Sequence, residues 1–573
     1  MKALKKNNKF KIYNLKFTIL IILILGAFLR FYNLGWGLPY PFHPDERNMA
    51  GAITRLSLKD LNPRFYAYGQ FPLYLAYFTG KIFFSIIERQ NLNQLTFIQA
   101  ILSLRFWSAV FSVVTIYVVY LIAKKLFPPK KLLADSCQLI AATAVAFTPG
   151  LIQAAHFGTT ESILTFSFLT IAYFSLQILE KPNLKNYFWA AFFLGIALGS
   201  KISAFIFILP LFLANSIQFI KQKPLKQKIK VLFSFIFFLA LSLFLTVLTS
   251  PYLILAFNES RGTLLYEISV AQGQSLPFYT RQFIETTPVI FQLKNIFPYA
   301  LGWPIFIFGS LGFVLLSFNL INKLITRKKF LIFELSFYIL HFTFCIYFLS
   351  QAFLFAKWTR FLTPVFPFFA LFAGYFLYRL LSLLKNKNLF TLILNLMVMV
   401  LILPGLIFFG LYLRPDIRYV ASEWIIKNIP SGSQILYDTG NVVDVPVLPP
   451  ESPSNLKFPN YSLKHISFNF YDLDENPTLS PKLLNYLETS NYIIVPSRRI
   501  FVNHMRFPDR FPTITKYYQL LFSGELGFKE VAEFKRLNDE QAEETFSVFD
   551  HPVIRIYVKL KDYTYQDYEK LFR

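Results

Sequence analysis

The sequence predicts a polytopic α-helical membrane protein carrying a small α/β domain at its carboxyl end, and three observations carry that prediction. Of 573 residues, 55% are hydrophobic and 19% aromatic. The mean hydropathy is +0.45, more apolar side chain than a soluble core of that length can bury. Apolar runs of spanning length recur from about residue 15 to residue 412, separated by short basic clusters. Beyond Arg414-Pro415 those runs stop and the composition becomes that of a soluble domain.

The formal net charge of +25 points away from nucleic acid. Lys and Arg fall mainly between apolar runs, where they set topology and meet anionic membrane lipid. Cys137 and Cys345 lie in or beside apolar runs, so no disulfide framework is expected.

In chain order, a basic end, Met1 to Lys6, should stay cytoplasmic, and the apolar run 15–31 reads as an uncleaved first span because no small-residue cleavage site follows it. At once comes Phe42-His43-Pro44-Asp45-Glu46-Arg47. Two adjacent acids among Pro39, Pro41 and Pro44 suggest a fixed geometry in a loop, and Asp45 is a candidate general base; the plain alternative is a solvated loop charge. Residues 48–58 suit a helix lying in the interface. A second interfacial or partly inserted segment opens at Tyr68 and is interrupted at Gly80-Lys81.

Further spans are expected at 103–126, 139–152, 162–179, two within 187–219 meeting near Gly199-Ser200-Lys201, then 231–257, 300–321, 330–351, 358–381 and 390–412, about eleven in all. With the amino end inside, an odd count puts the carboxyl end outside. The basic loops around Lys124 to Lys131, Lys221 to Lys230, Lys323 to Lys329 and Lys385 to Lys387 then fall inside, and Asp45, Glu161 and two long polar loops, 34–102 and 258–298, fall outside. The expected domains are 1–414, spanning the membrane and including both loops, and 415–573, extracytoplasmic.

In the latter, 417–429 reads as a helix, 434–437 as a strand, 483–487 as a helix, 491–495 as a strand and 553–560 as a final strand, with a Pro-rich loop at 445–459. No P-loop, dinucleotide fingerprint or zinc spacing occurs, and His43 and His156 read as hydrogen-bonding scaffold rather than metal ligands.

The order of these features resembles the glycosyltransferases of GT-C fold that use a polyprenyl-phosphate sugar donor, the protein O-mannosyltransferase and aminoarabinose-transferase group. Asp45-Glu46 stands where that group has an acidic pair opening the first outer loop. Phe71-Pro72-Leu73-Tyr74-Leu75 and Arg105-Phe106-Trp107-Ser108 follow in family order, then Thr148-Pro149-Gly150 with His156 and Glu161, Gly199-Ser200-Lys201, and Lys357-Trp358-Thr359-Arg360-Phe361-Leu362-Thr363-Pro364. The resemblance covers roughly the first 415 residues. Glu161 stands where Asp is the commoner residue, and the terminal domain matches no family motif.

The resemblance implies sugar transfer to an acceptor hydroxyl of a protein, lipid or glycan on the outer face, with inversion. It implies Asp45 as base with Glu46 and Glu161 in the catalytic set, and substrate contacts at His43, Arg47, Tyr68, His156, Lys201, Lys357 and Arg360, of which Lys201 and Arg360 meet the donor phosphate. No cofactor or metal is required by that chemistry. The alternative is a transporter or flippase of lipid-linked substrates. It expects paired charges or broken helices near the bilayer midplane, whereas here the acids gather at one surface.

Overall fold

The computed structural model describes residues 2–127, 132–326, 330–438, 445–446 and 462–573. The side chains of the basic amino end, the Lys130-Lys131 pair, Lys328-Lys329 and nearly all of the Pro-rich interval lie outside that description. The chain divides into two compact units: Met1–Gly35, Asp45–Ser275 and Thr287–Gly410 form the first, and Trp36–Pro44, Leu276–Thr286 and Leu411–Arg573 the second.

The expectation that both long loops belong wholly with the helical domain is therefore corrected, and the side chains give the reason. Arg418 places its guanidinium 4.0 Å over the Phe42 ring, and Tyr419 donates to Gly37 O at 2.8 Å. Arg281 donates to Tyr471 O at 2.6 Å and to Glu475 at 2.9 Å. Segments 36–44 and 276–286 are thereby anchored in the second unit.

In the first unit, α1 (Lys2–Phe31) is followed by α2 (Pro44–Ile53) and α3 (Phe71–Glu88). Then come α4 (Phe97–Leu126), α5 (Leu132–Ala146), α6 (Pro149–His156), α7 (Glu161–Glu180), α8 (Leu184–Leu198), α9 (Leu209–Lys221) and α10 (Leu225–Thr249). Short α11 (Tyr252–Leu255), α12 (Phe257–Gln272) and short α13 (Phe297–Ala300) precede α14 (Trp303–Ile325), α15 (Ile332–Ala352), α16 (Thr359–Leu362), α17 (Phe366–Leu381) and α18 (Lys387–Phe409). Among the described residues, eight helical segments are long and apolar enough to cross a membrane, or nine counting the α5–α6 pair, which is bent by 49°. The bend falls where Pro149 removes a backbone donor. The remaining two expected spans coincide with α1 and the shorter apolar α8.

Four local expectations change. Asp45 and Glu46 sit in the first turn of α2 rather than in a loop before a helix, because Pro44 is preset for a first helical position and acids favour the positive end of a helix. Helix α3 runs unbroken through Gly80; a Cβ there would lie 2.2 Å from Ser103 Oγ, so that glycine serves close packing on α4. The run expected to span 231–257 stops at Thr249, just before Pro251. The 258–298 loop is largely helical, with α12 closed by Gly273 at φ +77°.

The second unit holds α19 (Ile417–Asn428), β1 (Gln434–Asp438), β2 (Lys464–Phe468), α20 (Leu479–Thr489), β3 (Tyr492–Val495), α21 (Phe501–His504), α22 (Pro512–Ser523), β4 (Phe528–Phe534), α23 (Glu544–Val548), β5 (Ile554–Lys559) and α24 (Tyr565–Phe572). The sheet order is β2-β1-β3-β5-β4, parallel across β2-β1-β3 and antiparallel across β3-β5-β4. Alternation along the strands fills two cores. Ile435, Ile494 and Ile556 pack with Ile417, Ala421 and Ile425 of α19, while Leu436, Ile493 and Val495 pack with Leu483 of α20 and with Ile514 and Tyr517 of α22. The sequence reading missed β2 and β4. Both are edge strands, and their polar residues (Lys464, His465, Lys529, Glu530, Glu533) break the apolar signal as edge strands commonly do.

Candidate active site

The adjacent acids at the start of α2 have separate fates. Glu46 is fully buried. Its carboxylate receives Arg105 Nε at 2.6 Å, Arg105 Nη2 at 2.7 Å and the Gly158 N–H at 2.7 Å. Arg105 Nη1 also donates to Leu34 O at 2.7 Å. This bidentate, charge-assisted pair ties together the end of α1, the start of α2, α4 and the turn before α7. A Cβ on Gly158 would lie 2.6 Å from Leu104 Cβ and 3.0 Å from Glu46 Oε1, so only glycine lets the amide approach. Glu46 thus braces the start of α2, the helix that carries its neighbour Asp45.

That neighbour, Asp45, has a side chain 20% exposed and ion-paired with Arg360 Nη1. The Arg360 guanidinium lies 4.7 Å from the Trp358 ring centroid and 5.9 Å from that of Phe361. Lys201 Nζ lies 5.0 Å from the same Phe361 ring and 5.4 Å from that of Tyr68. Phe361 therefore faces both cations, at distances where a ring attracts positive charge. Its own carbonyl is held by Tyr347, whose hydroxyl donates at 2.9 Å.

Burial pulls the Lys201 ammonium below its usual range, against the opposing pull of Glu161 and Glu267. Burial, then the same two carboxylates, push the Tyr68 hydroxyl well above its usual range. Asp45, Arg360, Phe361, Lys201 and Tyr68 thus form one linked set of charges and rings, with Glu161 and Glu267 acting on its Lys201 end.

Backbone packing sets Lys201 in place. The Gly69 N–H donates to Ser200 O at 2.9 Å and the Phe71 N–H to Gly199 O at 3.1 Å, while Ser250 Oγ donates to Gly199 O at 2.6 Å. A Cβ on Gly69 would lie 2.0 Å from Gly199 O.

The remaining expected site residues have other surroundings. His43 belongs to the second unit, its ring 4.7 Å from that of Phe549. Arg47 is exposed on α2. His156 is buried with its ring nitrogens 2.9 Å from Ile152 O and 3.0 Å from Tyr32 O. Lys357 is buried and donates to Phe355 O at 3.1 Å. Among the described residues, no group of three or more His, Cys, Asp or Glu is placed to hold a metal ion.

The sequence reading assigned no role to Glu267, Arg105, Phe361 or Tyr347. Glu267 was one of many charges in a loop, and Tyr347 one of many aromatics in an apolar run; neither carries a local signal of what it faces.

Residues 91–249 match the family model described as dolichyl-phosphate-mannose-protein mannosyltransferase. With the helical architecture above, the chain has the fold of multi-pass membrane proteins of the GT-C class, and over that stretch it is similar to their glycosyltransferase family. Among solved structures, the chain is similar to the apo oligosaccharyltransferase of Archaeoglobus fulgidus at 12% identity and TM-score 0.52, over 89% of this chain and 73% of that one. It also aligns with apo ArnT from Cupriavidus metallidurans (13% identity, TM-score 0.44, 96% and 98% of the two chains). The S. cerevisiae Pmt1-Pmt2 complex bound to its sugar donor aligns over 49% of this chain and 38% of that one (14% identity, TM-score 0.32). Comparison with curated protein sequences gives no match.

Proposed function

We propose that this protein moves a sugar from a polyprenyl-phosphate donor to a hydroxyl of a protein, lipid or glycan acceptor, with Asp45 as general base and inversion at the anomeric carbon. The observation that carries the reading is the pairing of Asp45 with Arg360, whose guanidinium shares the Phe361 ring with Lys201. The description of the matched family names a lipid-phosphate-linked sugar, in keeping with such a donor.

In this mechanism Lys201 and Arg360 meet the donor phosphate and offset the charge that builds on it as the bond from the anomeric carbon to the phosphate oxygen breaks. Asp45 takes the proton of the acceptor hydroxyl while the hydroxyl oxygen attacks from the opposite face, and the phosphate leaves with the electron pair. Arg360 carries its donors in a planar fork, which suits it to hold Asp45 and a phosphate oxygen together. Glu46 fixes the α2 start through Arg105, and Glu161 balances Lys201. The amino end is cytoplasmic in this reading, and the second unit is extracytoplasmic.

Asp45→Asn keeps shape and hydrogen bonding but removes the proton acceptor, so turnover falls about 100- to 10,000-fold, while donor binding, measured separately, survives. Lys201→Ala and Arg360→Ala weaken donor binding. Transfer from a synthetic polyprenyl-phosphate sugar to an acceptor pool in detergent reads both effects. Near-normal turnover in Asp45→Asn with complete loss in Glu161→Gln reassigns the base, and normal turnover in both defeats the proposal.

A further inference from the structure

Within the second unit, between α21, the end of α22 and the paired strands β4 and β5, lies a cavity of about 560 Å³ that sugar transfer by Asp45 does not use. Its volume is that of a small-ligand site. A run of aromatic rings lines it: Phe501 and Phe522 have centroids 5.2 Å apart, and Phe522 and Tyr557 6.4 Å apart. Phe522 is 41% exposed, so part of its ring stays open beside these neighbours.

Two arginines share the lining. Arg498 is 9% exposed and donates through Nη2 to Ala542 O at 2.6 Å and Ser547 Oγ at 3.1 Å, but its buried Nε has no acceptor among the described residues. Arg555 is held by Glu533 and Glu540, each at 3.1 Å, and its buried Nη1 likewise has none. A buried guanidinium N–H without an acceptor is costly. With Lys529, the lining carries three cations against two carboxylates, Glu530 and Glu540. Both acids are engaged: Glu530 accepts the Tyr557 hydroxyl at 3.0 Å, and Glu540 is paired with Arg555 and Lys535.

We propose that this cavity binds a short anionic saccharide, one or two rings bearing a carboxylate or a phosphate. Ring faces receive the apolar C–H face of a sugar, and the cations of the lining, Arg498, Lys529 and Arg555, suit an oxyanion. The site is separate from the chemistry assigned to Asp45, so Asp45→Asn leaves this binding intact and the two readings fail independently.

The test uses the full-length protein in detergent, titrated calorimetrically with a uronic-acid disaccharide, a hexose 6-phosphate and a neutral disaccharide. At least one acidic probe binds saturably and at least tenfold or so more tightly than the neutral one, and comparing the two acidic probes tells whether carboxylate or phosphate is preferred. Phe522→Ala, its folding checked by thermal unfolding, and Arg498→Lys, which keeps charge but loses the planar fork, each weaken that binding by about tenfold. Saturable binding by none of the probes, equal affinity for acidic and neutral probes, or undiminished affinity in Phe522→Ala overturns the proposal.

Discussion

Asp45 and Glu46 are neighbours of like charge, yet geometry divides their work. Both oxygens of Glu46 are engaged by Arg105, and one also by the Gly158 amide, at full burial, whereas Asp45 keeps a partly exposed carboxylate beside Arg360. The sequence marked the pair but could not say which acid was spent on structure, because that depends on an arginine 59 residues away. Glu46→Gln leaves the Arg105 charge buried without its counter-ion, so it costs about 3–5 kcal/mol of stability, read as a lowered unfolding temperature in detergent. Turnover per folded molecule falls less than in Asp45→Asn. The double change Glu46→Leu with Arg105→Leu recovers part of the stability, since no unpaired charge remains. An unfolding temperature for Glu46→Gln equal to that of the unaltered protein would contradict this account.

At the scale of elements, glycines set how closely the helices approach. On α14, a Cβ at Gly312 would lie 1.9 Å from Phe372 O and one at Gly309 2.8 Å from Phe369 O, both oxygens on α17. Small residues permit such contact between membrane helices. Gly312→Ala must push backbone against backbone and costs about 1–3 kcal/mol. Gly262, within α12, has no atom within 4 Å of a built Cβ, so Gly262→Ala gains about 0.5–1 kcal/mol from helix propensity. Thermal unfolding of the two variants side by side decides the matter, and similar shifts in both would sink the packing argument. Neither role was readable in sequence, where Gly312 is one more small residue in an apolar run and Gly80 looked like a break in α3.

For the whole molecule, two buried histidines give the second unit opposite responses to pH. His504 is held between Ile500 O and Arg281; burial, with the Arg281 charge adding to it, lowers it to about 4. The unfolded chain takes up a proton that the folded one refuses, so this contribution is full above pH 6.5 and is lost as pH falls through about 4. His551 lies between Asp539 and Asp550. Burial opposes its charge, but the two carboxylates outweigh that and raise it to about 10, so its contribution is full below pH 6.5 and is lost as pH rises through about 10. The summed contribution of these two histidines to the second unit is therefore greatest near pH 6.5. Hydrogen exchange, corrected for its intrinsic pH dependence, should show loosening of segment 276–286 on the acid side and of the 539–551 region on the alkaline side. Protection independent of pH would refute it. Topology is tested at the same scale: thiols placed at the exposed positions 48 and 482 react with an impermeant reagent from outside the cell, and one at position 223 does not. Opposite results at 48 and 482 would overturn the proposed orientation.

What the sequence determined by itself was whatever depends on composition and short-range period. This includes the membrane class, the long apolar spanning runs, the change to an α/β domain after Arg414, and the acid pair and basic motifs in their family order. A stretch of about twenty apolar residues must span and satisfy its backbone internally wherever it sits, so its meaning is local. The tertiary structure decided what depends on partners far along the chain. It buried Glu46 on Arg105, set Asp45 on Arg360 across 315 residues, gathered Lys201 and Arg360 around Phe361, and placed segments 36–44 and 276–286 with the second unit. Charge pairing and burial act through space with no sequence period, and polar edge strands such as β2 and β4 gain their identity only from the strand they pair with.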